Sequence, residues 1–121
     1  MTTAAEVKRL LSEIDRYLDA AKNTRESLLK VERRLKRIRE LATEGLEVRD
    51  LLSRFPDASA SAAKLADSQK ALQEAQHRTR RQIVLLGRGE GLSLAQLASL
   101  WGISRALISR YANESAEETG Q

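Results

Sequence analysis

Leu94-Ala95-Gln96-Leu97-Ala98-Ser99-Leu100-Trp101-Gly102-Ile103-Ser104-Arg105-Ala106-Leu107-Ile108-Ser109-Arg110-Tyr111 is the stretch whose reading decides the fold. Leu97 and Trp101 recur at i, i+4, one face of a short helix, and Leu107, Ile108 and Tyr111 line one face of a second. Gly102 stands between them, where the chain must reverse sharply and a positive φ carries no steric cost for glycine. Ala98, one turn before the bend, is small enough to let the second helix cross closely over the first. Ser93 followed by Gln96 predicts a capping box on the first helix, and Ser104 is placed to cap the second. The turn tucks Ile103 into the core, and Trp101, flanked by Leu97 and Leu100, reads as core rather than as a stacking platform. Tyr111 reads the same way, with a hydroxyl able to reach a phosphate.

With those positions inward, Ser104, Arg105, Ala106, Ser109, Arg110 and Asn113 face outward on the second helix. They carry the chemistry of nucleic-acid readout. Arg addresses guanine O6 and N7 with two parallel hydrogen bonds, Asn does likewise for adenine, and Ala can touch a thymine methyl. Residues 82–113 therefore resemble the helix-turn-helix of bacterial transcription regulators, most closely the three-helix kind found in serine-recombinase tails and in sigma-factor promoter-reading domains. That resemblance covers about a quarter of the chain. It implies a recognition helix in the major groove of double-stranded DNA, a supporting helix at Ile83-Val84-Leu85-Leu86, and a loop at Gly87-Arg88-Gly89-Glu90-Gly91. It brings no enzyme with it, because nothing in residues 1–80 could serve as a catalytic serine domain. Too few residues follow Asn113 for a winged variant.

Composition agrees with a polyanionic partner. Lys and Arg number 21 against 17 Asp and Glu, a formal charge of +4, and the sequence pI is about 9.8. Arg78, Arg80, Arg81 and Arg88 lead into the motif. Arg81 and Arg88 are candidate phosphate contacts, although a solvated helix face would look the same. There is no cysteine, and His77 is the sole histidine, on a polar stretch with no second ligand at helical spacing, so neither a metal nor another cofactor is expected. No phosphate loop, nucleophile elbow or isolated carboxylate pair occurs, and 3% aromatic residues leave little to line a substrate pocket. Charges by residue 6 and the lack of long apolar runs speak against a secretory signal or a membrane span, which points to the cytoplasm and nucleoid.

The first half follows a heptad. Val7, Leu10, Ile14, Tyr17, Ala21, Thr24, Leu28, Val31, Leu35, Ile38, Ala42 and Gly45 succeed one another at steps of three and four, the seam of a left-handed coiled coil. Near Asn23 and Thr24 the seam is soft, so one long helix or two collinear pieces fit equally. Pro56 ends the region, and Asp57 or Ser59 can cap a second helix running to about residue 87. Residues 25–54 and 57–87 would each give about 45 Å of helix, matched for an antiparallel hairpin. Ala58, Ala60, Ala62, Ala63, Ala66, Ala71 and Ala75 let the second helix pack closely while burying little area.

The expected protein is all-α. Residues 1–80 form a helical coiled-coil or oligomerisation region with a break near Pro56, 81–114 the helix-turn-helix module, and 115–121 an acidic flexible tail. Its expected function is non-enzymatic DNA binding, as a homodimer held by the N-terminal region, in transcription regulation or nucleoid organisation. The alternative is a coiled-coil adaptor whose terminal hairpin binds another protein. An adaptor would show exposed Leu or Phe on the second motif helix, whereas Arg105, Ser109, Arg110 and Asn113 suit DNA.

Overall fold

The computed structural model describes residues 3–102 and 104–118, and the backbone alone at Trp101 and at 115–118. The described residues form five α-helices: α1 Ala4–Thr43, α2 Val48–Ser53, α3 Ala58–Gly89, α4 Leu94–Trp101 and α5 Arg105–Glu118. The all-α expectation holds, with α1 packed against α3 as a hairpin. The expected core positions of Trp101 and Ile103 lie outside the described residues.

α1 runs through Asn23 without interruption for 40 residues. Thr24, a weak helix former, has its hydroxyl shared between the carbonyl of Ala20 (2.8 Å) and that of Ser68 on α3 (3.1 Å). The helix ends earlier than the sequence suggested. Gly45 takes a φ of 95°, its N–H donates to Ala42 and that of Leu46 to Leu41, which is a Schellman close. Gly45 is thus a helix stop and not a seam position, and residues 48–53 form a separate short helix instead of extending α1. Pro56 lies in the following turn, and the backbone carbonyl of Asp57 receives Ser61 N–H at the start of α3.

By its contacts the chain divides into two compact units, one of Leu18–Gln73 and one that joins Met1–Tyr17 to Glu74–Gln121. In the first, the turn end is closed by the buried side chains Leu41 and Leu51. In the second, the end of α3, α4 and α5 surround a core of Val84, Leu97, Ala98, Ile108 and Tyr111. Leu92, Leu94, Leu107 and Ala112 pack around its rim.

The heptad reading is half correct. Leu10, Ile14, Tyr17, Ala21, Thr24, Val31 and Ile38 are buried or half-buried, but Val7, Leu28, Leu35 and Ala42 are exposed, and Glu13, Ala20, Ser27, Arg34 and Leu41 also turn inward. The alanine-rich α3 explains this rotation. A small-residue surface packs best at close range, and Ala20, Thr24 and Ser27 allow that approach where Leu28 would hold the helices apart. The buried carboxylate this brings in is satisfied: Arg78 Nε and Nη2 donate to Glu13 Oε2 and Oε1 at 3.1 and 3.3 Å, and Thr79 Oγ1 donates to the Glu13 carbonyl.

The resemblance placed the supporting helix at 83–86 and a loop at 87–91. Residues 83–86 are helical, as part of α3, and the loop needs correction. α3 continues to Gly89, so its own last turns support the motif, and Gly87 and Arg88 are helical. The turn belongs to Gly91, at φ 91°, where Leu92 N–H donates to Gly87 O and Gly91 N–H to Arg88 O. Residues 115–118, expected in a flexible tail, continue α5.

Candidate nucleic-acid interface

α4 begins as its sequence dictates. Ser93 is the N-cap, Gln96 N–H donates to Ser93 Oγ (3.1 Å), and Ser93 N–H donates back to Gln96 Oε1 (2.8 Å). Two otherwise orphaned amides are thereby satisfied at the surface. It ends at Gly102, in the left-handed region at φ 68°, ψ 28°, with its N–H on Ala98 O. α5 then starts with Leu107 N–H on Ser104 Oγ at 3.2 Å. Gly87 explains how α4 seats on α3. A Cβ there would lie 2.6 Å from Leu97 Cδ2, so glycine permits close approach of the two helices.

Burial sorts α5 into two faces. Ile108 is fully enclosed and Tyr111 nearly so, with Leu107 and Ala112 at the rim of the core. On the opposite face Arg105, Ala106, Arg110 and Asn113 are exposed, with the capping Ser104 before them, and Ser109 is half-buried beside them. Five of them, Arg105, Ala106, Ser109, Arg110 and Asn113, fall within about 140° of arc on one side of the helix at 100° per residue, and Ser104 stands before its first turn. Exposed large apolar residues do not occur on this face among the described residues.

Of the arginines leading into the motif, Arg88 is exposed and Nη1 donates to Leu92 O at 3.3 Å, bracing the α3–α4 turn. Arg81 is half-buried, and Arg78 is committed to Glu13. The basic lead-in is therefore partly structural, with Arg88 its most accessible member toward the motif.

His77 has a partner that the sequence reading did not foresee. It is half-buried, and its Nε2 lies 2.6 Å from Glu114 Oε2 on α5. Its ring stands tilted 5.0 Å from that of Tyr111. Glu114 Oε2 is buried and accepts no well-aligned hydrogen bond, so the imidazole contact is what offsets its desolvation. The pair clamps α5 onto α3, and the burial of Tyr111 beside it removes that hydroxyl from the expected phosphate role. Nothing in the sequence signalled the pair, since 37 residues separate its members.

Among the described residues there is no group of three or more His, Asp or Glu that could hold a metal ion, and no helix is long and apolar enough to cross a membrane. No protein-family model, curated protein or solved structure matches the chain.

Proposed function

We propose that this chain is a non-enzymatic double-stranded DNA-binding protein that inserts α5 into the major groove and works as a homodimer in transcription regulation or nucleoid organisation. The observation that carries the reading is the outward face of α5. Ser104, Arg105 and Ala106, at the helix start, are poised for base edges, while Arg110 and Asn113 continue the same strip. Ser109 adds a hydroxyl between them. Arg88, at the adjoining turn, suits a phosphate, and half-buried Arg81 is a secondary candidate. The rigid parts of the motif support this use: two capped helix starts, a glycine-closed bend and a clamped α5 hold the exposed face in one orientation.

One observation favours the adaptor reading. Leu100 on α4 is 77% exposed and borders an apolar groove with Leu10, Ile83, Leu86 and Leu92. A protein partner would use that groove rather than the α5 face. A gel-shift titration against mixed genomic fragments at two salt concentrations separates the two. DNA binding that weakens steeply with salt supports the proposal, because each neutralised phosphate releases condensed counterions.

A further inference from the structure

The rotation of α1 leaves an apolar stripe with no partner among the described residues. Within the 18–73 unit, Leu18 (63% exposed), Leu28 (47%), Leu29 (43%) and Leu35 (59%) are exposed on α1, Leu18 and Leu29 along one line of the helix and Leu28 and Leu35 about 100° round from it beside the packed lane, with exposed Arg25 and Glu32 between the two lines. Leu28, Val31 and Leu35 line a shallow groove there, edged by Glu32, Lys36 and Arg39. Each half-exposed leucine presents on the order of 50–100 Å², so the stripe reaches roughly the few hundred Å² at which a surface patch marks an interaction site.

We propose that this stripe pairs antiparallel with the same stripe of a second copy, about a two-fold axis between Leu28 and Leu29. Charge selects both the occupant and the direction. A parallel in-register pair would set Lys22, Arg25, Glu32, Lys36 and Arg39 each against its own copy, like charge on like charge. The antiparallel register opposes Arg25 to Glu32 of the second copy, twice by symmetry, on either side of a centre made by Leu28 and Leu29. Arg25 and Glu32 sit one turn before and after that centre, on the same line of the helix. Glu32 already holds Lys36 at 3.2 Å in an exposed pair, and an incoming guanidinium would extend it into a network. The same register sets Leu18 against the Arg39 end of the groove and Leu35 against Lys22, whose aliphatic stems cover apolar surface while their charges stay in water. With those stems the buried area comes to about 1,000 Å² over both copies, near the lower end for a specific interface. The assembly is accordingly a reversible dimer that forms with rising concentration. The inference deepens the dimeric part of the proposed function, but its test reads mass and cross-linking and is independent of DNA.

The chain lacks cysteine, so single cysteines report geometry cleanly. After mild oxidation of the full-length protein, Leu28→Cys, beside the axis, should cross-link into a covalent dimer, and Leu18→Cys should remain monomeric. Sedimentation equilibrium should show the unmodified chain gaining mass with concentration. Arg25→Glu or Glu32→Arg alone should each weaken the dimer about tenfold, and the double exchange should restore it, with helical content by circular dichroism unchanged throughout. The proposal is overturned by a strictly monomeric unmodified chain, which would leave the stripe to another protein, by cross-linking of Leu18→Cys as readily as Leu28→Cys, or by a double exchange that fails to restore association.

Discussion

Replacing Ile108 by alanine tests the packing that fixes the direction of α5. Ile108 is 0% exposed, as is Val84 on α3, and the two meet Leu97 and Ala98 of α4 in one cluster. Ile→Ala removes several buried methyl and methylene groups and leaves a cavity, which costs about 2–5 kcal/mol depending on how far the surroundings collapse. Collapse is restricted here. α4 is held at both ends by its capping box and by Gly102, and α5 is clamped by His77 and Glu114. The upper part of the range, about 3–4 kcal/mol, is therefore expected. For a domain of this size that lowers the melting temperature by on the order of 10–20 °C. Thermal and urea unfolding followed by circular dichroism measures it, with Leu100→Ala as control. Leu100 is 77% exposed, so its truncation should shift stability by no more than about 0.5 kcal/mol. An Ile108→Ala cost below about 1 kcal/mol, or equal to that of Leu100→Ala, would refute the placement of α5 on this core.

Three further outcomes follow from the same geometry. Ser93→Ala should cost about 1 kcal/mol by chemical denaturation, and Ser93→Gly less, because the capping bond is lost while the backbone stays compatible. Gly102→Ala should destabilise by about 1–2 kcal/mol despite open space around its Cα, since its φ of 68° disfavours any side chain. His77→Ala should cost about 1–3 kcal/mol by removing the imidazole contact with buried Glu114 Oε2, and adding Glu114→Leu should recover part of it. Equal instability in the single and double variants would mean that ring packing on Tyr111, and not the carboxylate contact, holds α5.

The motif was the most legible part of the sequence because local rules set it. The Ser93–Gln96 box, the Ser104 cap and the left-handed Gly102 each depend on residues within four positions of one another, and all appear as read. The stop at Gly45 is equally local, yet the apolar spacing running past it pointed to a longer helix. The faces of α1 were less legible because spacing records where apolar residues recur and not which of two neighbouring lanes meets a partner. The small residues of α3 drew in the lane of Ala20, Thr24 and Ser27, and Leu28 and Leu35 were left outside. Pairs between distant segments, Glu13 with Arg78 and His77 with Glu114, leave no sequence period at all. Their partners become neighbours only once the helices are assembled.

The α5 face makes the central claim, and the affinity of Arg105→Ala and Arg110→Ala for duplex DNA tests it most directly. Fluorescence anisotropy with a pool of genomic duplexes, then with the selected site, at two salt concentrations, gives both the free energy and the salt slope. The account predicts that each variant keeps the helical content of the parent. An arginine reading a base should lose about 1–3 kcal/mol of binding, mainly at its cognate site. One holding only a phosphate should weaken all sequences alike and reduce the salt slope by about one. Unchanged affinity in both variants, or no binding by the parent protein even at low salt, would contradict the account and leave the Leu100 groove as the functional surface.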